Sequence, residues 1–153
     1  MRYLCERFGG VLGGSEPVDV AMQEHMADQV TEKFPALPSA LYEVRRFVRR
    51  EAEMSGLPMA AINDIVLAVS EACANAVLHS GSDVMLVTWR PGGDCVEVEI
   101  QDRGVFLRRV PIPEVDRTRG HGIPLMMALM DEVGVHEGNE GNPGTTVLLV
   151  KCL

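Results

Sequence analysis

The chain has 153 residues, 46% of them hydrophobic and only 5% aromatic, and a formal net charge of −8. One domain of this length buries a proper core, and the composition fits a globular α/β or α+β chain. The acidic balance argues against nucleic acid or an anionic membrane as partner, because both need a basic surface, yet it permits a nucleotide held by backbone N–H groups and a metal ion.

Residues 1–29 read as a loosely ordered N-terminal extension. Gly9, Gly10, Gly13 and Gly14 suggest a tail, while Val18, Met22 and Met26, four apart, allow a short amphipathic helix or a partner-binding arm. Glu6 and Arg7 interrupt the apolar part of the opening, so no signal peptide is expected. The cysteines at 5, 73, 95 and 152 lack metal-ligand spacing. They predict no structural zinc and a reduced, cytoplasmic chain in which Cys73 and Cys95 are small core residues. No apolar run is expected to reach transmembrane length.

The domain proper runs from residue 30 to 153. Gln29 to Phe34 reads as a first strand, and Pro35 and Pro38 punctuate the chain after it. A helix from Pro38 or Ser39 to about Met54 would turn Leu41, Val44, Phe47, Val48 and Ala52 inward. Arg45, Arg46, Arg49 and Arg50 crowd its outer side, as a solvated face or as a contact for an acidic partner. Gly56 and Pro58 mark the next break.

The central helix carries the clearest pattern. In and just before Asp64 to Ser80, DIVLAVSEACANAVLHS, the residues Ile62, Ile65, Val66, Val69, Cys73, Ala76 and Val77 share one face. Glu71, Asn75 and His79, four apart, stack on roughly the opposite face beside Ala68 and Ala72. From Ala60 to His79 the only charges are Asp64 and Glu71. A solvated face would carry more. The stripe therefore suits an occupied site, or else satisfies loop backbone groups.

After Gly81 the period changes to two, in Val84, Leu86, Thr88 and then Val96, Val98, Ile100, with Pro91 to Asp94 as the hairpin connection. Asp102-Arg103-Gly104 ends the second strand. Val105 to Arg119 is irregular, and Gln101 to Gly122 holds five arginines against three carboxylates. Such a stretch suits a phosphate-covering lid or an ordinary surface loop, although long irregular loops inside compact domains usually have a function. Gly120-His121-Gly122 opens a helix expected from Ile123 to about Glu132. Glycines there let backbone N–H groups approach an anion. Val133 to His136 and Thr145 to Val150 read as a last hairpin across Glu137 to Gly144.

The order is an acid-and-amide helix, a strand ending in Asp-x-Gly, Gly-x-Gly at a helix start, and Gly144-Thr145-Thr146 opening the last strand. It resembles the nucleotide-binding superfamily of gyrase, heat-shock chaperone, histidine kinase and mismatch-repair ATPases (GHKL). Within that superfamily, SEACANAVLHS is most similar to the anti-sigma factor serine/threonine kinases of bacteria. The resemblance covers about residues 30–153. It implies a two-layer α/β sandwich (α+β) with helices on one face of a mixed, mainly antiparallel sheet, and ATP with Mg²⁺ as ligands. By the resemblance Asn75 would coordinate Mg²⁺, and Glu71 would be the general base toward a serine or threonine hydroxyl. Asp102 would accept from the adenine amino group, Gly104 would let the backbone pass the base, and Thr145 would support the adenine end. Gly120 and Gly122 would present amides to phosphate, with Arg119 as a further phosphate contact. Phe106 stands where the family often has a second glycine, which would narrow the pocket or stiffen the hinge.

The activity implied is an ATP-dependent kinase that phosphorylates an anti-sigma-factor antagonist and, when free of it, sequesters a sigma factor. Members of the family are often homodimers. The alternatives are a nucleotide-binding module acting by partner capture alone and an interaction domain with no ligand. No direct nucleic-acid or membrane partner is expected, nor the His-bearing dimerisation helices of a complete sensor kinase.

Overall fold

A computed structural model of the chain describes residues 29–103, 122–139 and 141–153. Residues 1–28, which were expected to be most of an extension, residues 104–121, which hold Gly104, Phe106, Arg119, Gly120 and His121, and residue 140 lie outside the described residues.

Five strands form one sheet in the order β1-β2-β3-β5-β4, and all four pairings are antiparallel. They are β1 (Val30–Pro35), β2 (Val84–Gly92), β3 (Cys95–Asp102), β4 (Glu132–Asn139) and β5 (Asn142–Cys152). Alternation decides which side is covered. Met85, Val87, Trp89, Val96, Val98, Ile100 and Leu149 are buried on the helix side. Their neighbours along β3, including Glu97 and Glu99, face outward, where both bond the Arg90 guanidinium.

Three helices cover that inner face: α1 (Leu41–Met54), α2 (Met59–His79) and α3 (Gly122–Leu129). A single 3-10 turn, Pro38–Ala40, leads into α1, and Val44, Phe47, Val48 and Ala52 face inward as their spacing predicts. On the outer side Arg46 pairs with Glu43, and Arg50 with Glu51 and Glu32, so half of the arginine cluster is matched by carboxylates of its own surface. Helix α2 follows Pro58, which stands where the missing N–H costs nothing. It closes at Ser80, whose N–H and hydroxyl both donate to the Ala76 carbonyl. At 21 residues α2 is long and apolar enough to cross a membrane, contrary to the expectation that nothing here is. Burial accounts for that composition. Ile62, Ile65, Val66, Ala68, Val69, Ala72, Cys73 and Ala76 are all inside the fold, because α2 packs between α1, α3 and the sheet. Burial also pushes the Cys73 thiol up to about 12, so it stays protonated and packs as a small apolar side chain.

Four further expectations need correction. The β2–β3 connection is only Gly93-Asp94, with Pro91 and Gly92 already paired to β3. Helix α3 stops at Leu129 rather than near Glu132. The Asp131 N–H is taken by the Val150 carbonyl, and Glu132 then opens β4. The last hairpin is longer than its alternation suggests, since Glu137–Asn139 and Asn142–Gly144 extend the two strands. Lastly, Cys95 is not a core thiol, and the cysteines are not all reduced as expected. The β3–β5 register sets it directly opposite Cys152, Cα atoms 4.0 Å apart, and the two form a disulfide. The pair is 57 residues apart in sequence, so only the strand pairing reveals it.

Candidate active site

The two acceptors singled out on α2 converge on the start of α3. A β-carbon built on Gly122 would stand 3.1 Å from Asn75 Nδ2, 3.6 Å from Asn75 Oδ1 and 3.5 Å from Glu71 Oε2. Glycine is what lets the first turn of α3 come this close. Glu71 and Asn75 are half-buried, and neither makes a hydrogen bond or ion pair among the described residues. An unengaged carboxylate and carboxamide one helical turn apart, facing the positive end of another helix, form a polar corner suited to a charged ligand. His79, the third member of the stripe, is exposed in the last turn of α2 and does not join them.

A second corner forms where β3 ends and β5 begins. Asp102 and Thr145 are both buried, at 4% and 6% exposure, and the Thr145 N–H donates to Asp102 Oδ1 over 3.3 Å. Gly144 makes the approach feasible. Its φ is +136°, and a side chain there would collide with the Asp102 carbonyl. Among the described residues Thr145 Oγ1 is buried without a hydrogen-bond partner. A buried hydroxyl left unpaired costs about 1–3 kcal/mol, so this one calls for a partner beyond those residues.

Sequence reasoning passed over two contributors. Gly144 was noted only as the opening of a strand, although its place directly before Thr145 was the available signal. Ser82 carried no motif at all. Its hydroxyl donates to the Val84 carbonyl (2.6 Å) and accepts the Arg103 N–H (3.3 Å), which fixes the chain as it leaves Asp102.

Residues 34–151 match the histidine kinase-like ATPase domain. The chain belongs to that family. Within it, the chain is 34% identical over 142 residues to the serine-protein kinase RsbW of Bacillus velezensis, which covers 82% of this chain and 86% of the relative. An anti-sigma F factor of Clostridium perfringens is 30% identical over 103 residues, or 59% of this chain and 71% of that one. In the crystal structure of the RsbU and RsbW domains of a Mycobacterium tuberculosis protein, the match covers 83% of this chain and 33% of that chain. Its TM-score is 0.66 at 27% identity. This histidine kinase-like ATPase domain thus sits among the anti-sigma serine-protein kinases.

The donor set fits magnesium. Among the described residues no group of three or more His, Cys, Asp or Glu could cage an ion. Mg²⁺ needs no cage, since it keeps waters and phosphate oxygens and takes only one or two hard protein oxygens. Asn75 Oδ1 is of that kind, and Glu71 stands beside it.

Thr145→Val separates a ligand role from a packing role. The isosteric apolar side chain removes an unpaired hydroxyl, so resistance to urea is expected to hold or rise by about 1 kcal/mol. Affinity for Mg-ATP is expected to fall about tenfold, the worth of one lost hydrogen bond. Titration calorimetry beside urea denaturation reads both. Unchanged affinity would take Thr145 out of the adenine end.

Proposed function

We propose that this protein is an ATP-dependent anti-sigma factor serine kinase. It would transfer the γ-phosphoryl group of ATP to a serine of an anti-sigma-factor antagonist and, when free of that antagonist, hold a sigma factor away from RNA polymerase. The observation that carries this reading is the convergence of Glu71 and Asn75, both unengaged, on Gly122. The kinase names of its relatives and the buried Asp102–Thr145 corner support it.

In this reading the adenine ring lies at Asp102, whose carboxylate accepts from the exocyclic amino group. Guanine would present a carbonyl there and be refused. Thr145 Oγ1 completes the adenine end, with Gly104 giving room for the base. The phosphates lie against the first turn of α3 at Gly122, and the resemblance adds Arg119 and Gly120, outside the described residues, as phosphate contacts. Asn75 would hold a magnesium ion, which when bound screens the charge of the phosphates. Glu71 takes the proton of the substrate serine as its Oγ bonds to the γ-phosphorus and the bond to the β-phosphate oxygen breaks. Positioning and charge screening supply most of the acceleration in such transfers. The phosphate added to the antagonist places about two negative charges on its contact surface and drives it from this acidic protein. A cytoplasmic location and a homodimer belong to the same reading. So does residue 30 as the start of the kinase domain, with residues 1–29 as an extension.

Incubation with radiolabelled ATP, Mg²⁺ and candidate antagonists tests ligand, chemistry and partner together. Label is expected on a serine of one antagonist, and only when metal is present. Stabilisation by Mg-ATP without transfer to any antagonist would instead favour a module acting by capture alone.

A further inference from the structure

Helix α3 presents Gly122 to the active corner, yet little in its own surface fixes where it sits. It has eight residues, GIPLMMAL, none of them charged. Met126 is its one buried residue, and Ile123 and Met127 are about half exposed. Apolar contact is non-directional. A directional contact would fix the axial register of α3 against α2 more firmly.

Lys151, near the end of β5, supplies it. Its side chain is only 18% exposed. The ammonium donates to the carbonyl of Leu129, the last residue of α3, over 2.7 Å, and to Asp64 Oδ2 on α2 over 3.1 Å. A cation on a terminal carbonyl is also favoured by the helix dipole. Asp64 and Glu71 are the only charges of α2, and they are put to matching use. They stand seven residues apart, about 10.5 Å along the axis. Gly122 and Leu129 are likewise seven apart. Glu71 meets α3 at its first residue, and Asp64, through Lys151, meets it at its last. The two helices therefore run antiparallel, with the whole of α3 set against the Asp64–Glu71 stretch of α2. The strand that delivers Lys151 is itself tied down on both sides, by the Cys95–Cys152 disulfide and by the Cys152 N–H on Asp131 Oδ2.

We infer that Lys151 is a positioning residue, which through Asp64 and the Leu129 carbonyl holds α3 in the axial register that sets Gly122 against Asn75 and Glu71. The role in nucleotide binding rests on the kinase reading above; the mechanical role does not.

The test uses the full chain with Lys151→Met, which keeps most of the stem and loses the donors, and with Lys151→Arg and Asp64→Asn. Without ligand, amide exchange over residues 122–130 is expected to speed up about tenfold in Lys151→Met, while α1 keeps its wild-type protection. With Mg-ATP, KM for ATP is expected to rise about tenfold and kcat to stay within about twofold. Lys151→Arg is expected to restore most of both. Asp64→Asn should act in the same direction, and the double variant should be no worse than Lys151→Met alone, because the residues work as one clamp. Wild-type exchange over residues 122–130 in Lys151→Met would overturn the inference, as would additive effects in the double variant. Should Lys151→Met fail to fold, Asp64→Asn carries the same test, since it leaves the ammonium on the Leu129 carbonyl. A wild-type protein that binds no Mg-ATP would overturn the kinase reading alone, and the exchange measurement would still decide the clamp.

Discussion

Glu71→Gln is expected to slow phosphoryl transfer from ATP to the antagonist by about 10²–10⁴-fold, the usual worth of a general base. Mg-ATP affinity is expected to hold or improve. The substitution is nearly isosteric, so the close contact with Gly122 survives and the first turn of α3 keeps its place. What disappears is one negative charge and the capacity to take a proton. Removing a negative charge from beside the triphosphate relieves repulsion, as long as the carboxylate is not itself a magnesium ligand. The loss should therefore appear in kcat and leave KM alone, the signature of an interaction made only in the transition state. Single-turnover transfer of labelled phosphate, beside titration calorimetry with Mg-ATP, separates the two. Transfer at the wild-type rate would remove Glu71 from proton transfer. A parallel loss of binding would instead make it part of the magnesium site.

The central helix and its stripe were legible because a 3.6-residue period shows within a local window, and because one face of α2 is buried along its length. Even its corner could be read, since Glu71 and Asn75 are one turn apart and point the same way. Strands β2 and β3 were equally open, as their inner residues alternate with Glu97 and Glu99. Features made by distant pairing were not. Cys95 and Cys152 look unrelated until β3 and β5 lie in register. The same holds for Lys151, an ordinary strand-end lysine in sequence and a clamp in the fold. The end of α3 was misjudged for a related reason. Met130 and Val133 continue a helical apolar pattern, but β5 captures the backbone at Asp131 and turns it into β4. Local propensity gives way wherever a neighbouring strand offers the hydrogen bond.

Gly144→Ala is expected to be the most damaging small substitution in the protein, costing about 3 kcal/mol or more of stability. Two causes add. The φ of +136° lies where an L side chain is strained, and the new methyl would meet the Asp102 carbonyl and the Arg103 Cα (3.3 Å). Both obstacles are main-chain atoms, which no rotamer change can move aside. β3 and β5 must part at that end, yet the disulfide holds them together at the other. The strain thus falls on Asp102 and Thr145, the residues of the proposed adenine corner. The Thr145 N–H would leave Asp102 Oδ1, and the carboxylate would lose the orientation proposed for the adenine amino group. Mg-ATP affinity should consequently fall at least tenfold even at temperatures where the variant stays folded. Gly93→Ala is the control. That glycine also has positive φ, but nothing lies within 4 Å of the added carbon, so only about 1 kcal/mol should be lost and no affinity. Urea denaturation and nucleotide titration of both variants check the contrast. Equal, mild losses in the two would mean that the ends of β3 and β5 do not depend on a bare backbone at position 144. The adenine corner would then lack the rigidity that its selectivity requires.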